Sequence, residues 1–153
     1  MPVSDAFSLD FPQCFACGAD NASGLHVRFT RNGDRGCRAE FVAGASHVGW
    51  PNLMHGGLIF TLMDEAVAWA LAYEGLRGVT GKAEVRFRLP VNVGDRLAIE
   101  ASVVERSRRL VRARADVRKA DATDDIVADM DATMVLTDVE QWSEAGDRTG
   151  RVR

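Results

Sequence analysis

HGGLIFTLMDEAVAWAL, residues 55–71, decides how the rest of the chain is read. The stretch reads as a long helix, and an unusually apolar one: Leu58, Ile59, Phe60, Leu62, Met63, Ala66, Val67, Ala68, Trp69, Ala70 and Leu71 point around most of its circumference. Such a helix needs cover on nearly all sides, more than one sheet supplies, so a second subunit is expected. Two features break the pattern. Gly56 and Gly57 open the helix, although each costs roughly 1 kcal/mol against alanine inside one. Asp64 and Glu65 sit among apolar residues, although an isolated ionised carboxylate is costly to bury.

Each feature has a structural explanation and a chemical one. The glycines permit a tight turn into the helix or close packing on a sheet. They also bare the N–H groups of the first turn, where the positive end of the helix dipole stabilises an oxyanion. The acids bond an arginine or a backbone N–H, or they supply a tuned base. Geometry ties the two features together. Gly57 and Asp64 are seven residues apart, which is about 10 Å of helix rise. A base acts within about 3–3.5 Å of the reacting atom. Asp64 therefore cannot serve an oxyanion at its own helix start, but it can serve one at the start of an antiparallel partner helix. Two shared sites per dimer are expected.

On either side of the helix the period changes to two. LHVRFTR and CRAEFVA alternate, with NGDRG between them as a hairpin turn. AGASHVGWPNLM, residues 43–54, reads as a loop, and the helix over 56–74 ends at Gly75. Then AEVRFRLPV, RLAIEASVVER, LVRARADVRK and DIVADMDATMVLT alternate in turn, bounded by NVGD and KADATDD. Consecutive alternating strands imply an antiparallel sheet with one face toward the helix. The fold class is α+β: one long central helix wrapped by a curved antiparallel sheet, the hotdog architecture. Residues 1–23 form an irregular N-terminal segment with a CxxC, residues 24–138 the domain, and residues 139–153 a polar tail expected to fray.

Composition narrows the function. A chain of 153 residues with 46% hydrophobic content makes one ordinary domain. A net charge of −3 gives no field toward nucleic acid or an anionic membrane. MPVSDAFSLDFPQ lacks the basic start and apolar run of a secretory signal, and no apolar run approaches the ~20 residues that span a bilayer. Three cysteines, an odd count, argue against a disulfide scaffold and for a reducing cytoplasm. Cys14 and Cys17 make half of a metal signature, which His47 and Cys37 would have to complete; His26 falls in a strand pattern. A packed, reduced pair without metal is the expectation. Arg86, Arg88, Arg106, Arg108, Arg109, Arg112 and Arg114 make the later strands basic, as a solvated outer face or, for some, as phosphate contacts.

WPNLMHGGLIFTLMDEAVAWA resembles the signature of the PaaI-like hotdog thioesterases, in which HGG opens the central helix and an acid follows nine positions after the histidine. Here Asp64 lies nine after His55. FPQCFACGADNASGLHVRF is similar to the N-terminal segment of one branch of that family. VTGKAEVRFRLPVNVGDRL is similar to its strand after the helix, and the likeness covers residues 11–137. The resemblance implies hydrolysis of an acyl-CoA thioester without a cofactor. Asp64 would be nucleophile or general base, and the Gly57 amide, with Gly56 beside it, would polarise the carbonyl. His55 would brace the loop or contact the thioester, and Thr80 would position water. Relatives often carry Asn or Gln six positions before the histidine; this chain has Gly49 there, and Asn52 is the nearest amide. Glu65 is the rival acid, and Trp50 a candidate wall of the acyl pocket, as is Trp69. The implied partners are acyl-CoA and a second copy of the chain, in a homodimer or a dimer of dimers. Two other functions fit the same scaffold: an acyl-CoA hydratase or dehydratase using His55 with an acid, and a non-catalytic acyl-CoA sensor.

Overall fold

The computed structural model describes residues 11–137. After a looped segment the chain forms β1 (Thr30–Asn32), β2 (Gly36–Val42), a single 3-10 turn (Ala45–His47), helix α1 (Gly56–Tyr73), β3 (Gly78–Phe87), β4 (Arg96–Arg106), β5 (Leu110–Lys119) and β6 (Ala122–Leu136). The six strands make one antiparallel sheet in the order β1-β2-β4-β5-β6-β3. Helix α1 lies across β2, β4 and β5. This is the hotdog fold that the strand–helix–strand pattern implies.

The period-two pattern supplies the sheet's inner face. Cys37, Ala39 and Phe41 on β2, Leu97, Ile99, Ala101 and Val103 on β4, and Val111, Ala113, Ala115 and Val117 on β5 are buried. Arg112 and Arg114 alternate with them on the outer face. Against this surface α1 buries Ile59, Leu62, Met63, Ala66, Val67, Ala70 and Leu71. Many of the facing residues are alanines, which let the helix axis approach the sheet closely. The helix stops at a Schellman motif: Gly75 N donates to Ala72 O and Leu76 N to Leu71 O. Gly75 takes the required left-handed conformation, φ +74°.

The sequence pattern misplaces several boundaries: β6 begins at Ala122, inside the turn expected over KADATDD, and β3 ends at Phe87, before the end of AEVRFRLPV. Leu25, Val27 and Phe29 are buried and alternate as expected, yet only residues 30–32 join the sheet. Leu25 N and Val27 N instead donate to Phe15 O and Ala16 O in the preceding loop. His26, expected in a strand, has φ +54° and is not. Strand β3 begins at Gly78, earlier than its alternation suggests, because Gly78 and Gly81 hide the period. Its register with β6 slips between Thr80 and Lys82, a bulge at Gly81. The polar tail, residues 139–153, and residues 1–10 of the N-terminal segment lie outside the described residues.

Candidate active site

The helix start is closed by its own histidine. His55 has extended backbone and caps α1, its Nδ1 accepting the Gly57 N–H at 2.9 Å. A nitrogen that accepts carries no proton, so neutral His55 bears its proton on Nε2. The glycines around it make room for the ring. A Cβ on Gly57 would stand 3.0 Å from His55 Nδ1, and one on Gly49 would stand 3.0 Å from Cδ2. Gly49 thus leaves room for the His55 ring, and it carries no side-chain amide beside it. Asn52 turns elsewhere, with φ +63° and a 3.4 Å hydrogen bond from its Nδ2 to Asn92 Oδ1. Trp50, on the same loop, is 78% exposed. Phe87, a residue the sequence pattern does not single out, is also exposed and lies within 3.6 Å of where a Gly56 Cβ would be. Its only sequence signal is its place at the end of a strand that neighbours the helix.

Two turns along α1, Asp64 is half-buried on a helix face turned from the main apolar stripe. Thr80 Oγ1 donates to Asp64 Oδ1 at 2.5 Å and also lies 3.4 Å from Met134 Sδ. The bulge explains how Thr80 gets there. Ala83 and Val85 face inward, paired with buried Ala132 and Met130. Strict alternation from them would turn Thr80 outward. The extra residue at Gly81 reverses the phase, so Thr80 pairs with buried Met134 and faces the helix. A Cβ on Gly81 would come within 2.9 Å of Val135 Cγ2, which a glycine avoids. The result is a carboxylate on a rigid helix, oriented by a hydroxyl on a sheet strand of the same chain.

Glu65 points to different neighbours. Its Oε1 accepts from Trp69 Nε1 at 3.1 Å and from Cys14 Sγ at 3.5 Å. Burial, then the Glu65 carboxylate beside it, pushes the Cys17 thiol well above its ordinary range. His47 and Cys37 do not join this group. His47 Nδ1 accepts from Gly44 N at 2.8 Å, and its ring leans on Phe41. Cys37 donates to Ala66 O at 3.0 Å inside the core, where burial pushes its thiol up to about 12. The four-ligand set of Cys14, Cys17, His47 and Cys37 is therefore not assembled; Glu65 stands beside the CxxC instead.

On the outer face, several arginines already hold acids. Arg88 pairs with Asp129, Arg112 with Glu105 and Arg114 with Asp131. These pairs are exposed and contribute little to stability. Arg86, Arg106, Arg108 and Arg109 are exposed as well.

Comparison with known proteins places these features. Residues 51–125 match the family model of the thioesterase superfamily. No curated protein matches the chain in sequence. Among solved structures, zebrafish thioesterase superfamily member 2 superposes with a TM-score of 0.69 at 21% identity, over 76% of this chain and 89% of its own. A hypothetical thioesterase protein from Streptococcus pneumoniae, solved with coenzyme A, gives 0.68 at 22% identity, over 72% of this chain and 88% of its own. The E. coli PaaI protein of the phenylacetic acid degradation operon gives 0.68 at 20% identity, over 74% and 81%.

Proposed function

The domain that includes residues 51–125 belongs to the thioesterase superfamily, and on that premise we propose that the chain hydrolyses acyl-CoA thioesters to the free acid and coenzyme A. The observation that carries this reading is the Asp64–Thr80 pair: a half-buried carboxylate, fixed by a hydroxyl, on the helix that the family motif opens. The Streptococcus pneumoniae protein has also been solved with an aspartate-to-alanine and with a threonine-to-alanine replacement. Those two positions are 16 residues apart, the interval from Asp64 to Thr80. The same protein with coenzyme A, and a Streptococcus mutans protein with acetyl-CoA, support a CoA thioester as the substrate class.

In this mechanism Asp64 takes a proton from water as the water attacks the thioester carbonyl, and collapse of the adduct breaks the C–S bond as that proton passes to the leaving CoA thiolate. In the other route Asp64 attacks the carbonyl itself and expels CoA thiolate, and water then hydrolyses the resulting mixed anhydride to free both the acid and Asp64. Thr80 holds the carboxylate in one orientation and shares in positioning the water. The developing oxyanion is taken by a Gly57 N–H. About 10 Å of helix separates that amide from Asp64 in one chain, so the amide comes from the partner in a homodimer, which also covers the half-buried Phe60, Thr61 and Ala68. Two such dimers can assemble further into a tetramer. The carbonyl oxygen replaces His55 Nδ1 as the acceptor of the Gly57 N–H, and Gly56 keeps the approach open. His55 is a positioning residue that presents this amide. Trp50 and Phe87, both exposed, would meet the substrate at the mouth of the site, whereas Asn52 is turned to Asn92. Glu65 stays with Trp69 and Cys14 rather than with the thioester. No helix among the described residues is long and apolar enough to cross a membrane.

The test is release of free CoA thiol over a panel of short, medium, long and aryl acyl-CoAs, with wild type beside Asp64→Asn and Glu65→Gln. Turnover in wild type that falls about 10²–10⁴-fold in Asp64→Asn supports the assignment. A loss confined to Glu65→Gln moves the site to the other acid. Binding without thiol release from any thioester overturns hydrolysis in favour of the hydratase or sensor functions.

A further inference from the structure

The CxxC and Glu65 take no part in the proposed hydrolysis, yet they converge. The sulfurs of Cys14 and Cys17 and a carboxylate oxygen of Glu65 all lie within 4.8 Å of one another. Cys14 Sγ stands 3.5 Å from Glu65 Oε1. A tetrahedral zinc ion holds sulfur at about 2.3 Å and oxygen at about 2.1 Å, which separates S from O by about 3.6 Å and S from S by about 3.8 Å. We propose that Cys14, Cys17 and Glu65 bind one zinc-type divalent cation, with water as the fourth ligand.

One general rule and three further observations fit this donor set. Thiolates select zinc over the hard cations that carboxylates alone would attract. The Trp69 indole N–H, 3.1 Å from Glu65 Oε1, fixes the orientation of the carboxylate, as outer-shell donors do at metal sites. The two sulfurs come from one tight turn: Gly18 N donates to Cys14 O at 2.8 Å. A Cβ on Gly18 would lie 2.5 Å from the Cys14 backbone, so only glycine lets the chain fold over the first cysteine. A cavity of about 130 Å3, lined by Phe11, Cys17, Val27, Arg28, Phe29 and Trp69, adjoins Cys17 and has room for a ligand water.

The ion would tie two parts of the chain distant in sequence. The looped segment, residues 11–29, would be pinned to the middle of α1, one residue from Asp64. Binding would release the thiol protons, since thiolate is the ligand form. This inference is independent of whether thioesters are hydrolysed.

The experiment is metal analysis of the untagged, full-length protein purified under reducing conditions, followed by titration with Zn2+ and with Co2+ as a spectroscopic probe. The expected result is one ion per chain and, with cobalt, thiolate-to-metal charge-transfer bands and the intense visible bands of a tetrahedral centre. Both are lost in Cys14→Ser/Cys17→Ser, while Glu65→Gln weakens binding and shifts the visible bands. Chelation lowers the melting temperature of wild type and leaves that of the double variant unmoved. The wild-type titration needs no variant to fold. Wild type that takes up neither ion, with its thiols free or joined as a disulfide, overturns the proposal. So do cobalt bands that survive in the double variant, and a Glu65→Gln spectrum identical to wild type removes Glu65 from the site.

Discussion

Asp64 and Glu65 are neighbours in sequence, but about 100° of helix separates their side chains, and their surroundings share nothing. Asp64 meets a single hydroxyl, that of Thr80 on edge strand β3. Glu65 meets an indole and a cysteine pair from the looped N-terminal segment. One acid looks toward the sheet's edge and the other toward the segment folded over the helix. Two carboxylates in an apolar helix therefore need two explanations. A single residue of helical offset divides the proposed base, Asp64, from a carboxylate proposed to tie the looped segment to the helix.

The contrast is sharpest in turnover. Asp64→Asn keeps the shape and removes the basicity, and should lower kcat about 10²–10⁴-fold with little change in melting temperature, read by thiol release and thermal unfolding side by side. Glu65→Leu should do the reverse. It strands the Trp69 N–H and the Cys14 thiol, and a buried donor left without an acceptor costs about 1–3 kcal/mol. A denaturant titration would read that loss, and an Asp64→Asn variant destabilised as much as Glu65→Leu would erase the distinction.

Thr80→Val sharpens the Asp64 side alone. It removes the hydroxyl and keeps the branched shape. A hydrogen bond to a charged group contributes about 1.5–3 kcal/mol, so if it is needed in the transition state kcat falls tenfold or more. Unchanged kcat would make Thr80 a bystander. His55→Ala removes the N-cap of α1 and should cost about 1 kcal/mol of stability, measurable as a shift in the denaturant midpoint. An unshifted midpoint would mean that the cap is supplied by solvent.

The smallest effect concerns a third acid. Asp95 is bonded by the Lys119 ammonium and by Asn92 N, which hold its carboxyl below the ordinary aspartate range. A carboxylate with a lowered folded value adds stability above its unfolded value and loses it as pH falls through the folded one. The protein should thus weaken on acidification below the usual aspartate range, and Lys119→Met should flatten that limb of a stability–pH curve. The pair is only part-buried, so salt should still blunt the effect.

The later strands were legible because apolar and polar residues alternate along most of their length. RLAIEASVVER and LVRARADVRK coincide with β4 and β5 residue for residue. The helix was legible from spacing at both ends, with His55 before it and Gly75 after it. Leu25, Val27 and Phe29 carried the same signal, but their backbone partners lie in the preceding loop, and side-chain alternation does not report who accepts a hydrogen bond. The Gly57-to-Asp64 distance followed from helix geometry alone. The meeting of Glu65 with Cys14 and Cys17 did not, because 51 residues separate Cys14 from Glu65 and no local pattern links them. His47 and Cys37 were reasonable partners by residue type, but a backbone amide and a helix carbonyl had already engaged them.

The bulge at Gly81 makes the neighbourhood of Asp64 depend on counting rather than on composition. Remove that one glycine and every other residue remains in the chain, but strand parity carries Thr80 to the outer face of the sheet. Asp64 would keep its place on the helix and lose its partner. A deletion three base pairs long could thus disconnect the pair while sparing both members. Restoring any one residue between Thr80 and Lys82 would reconnect them, provided it was small enough to pass Val135.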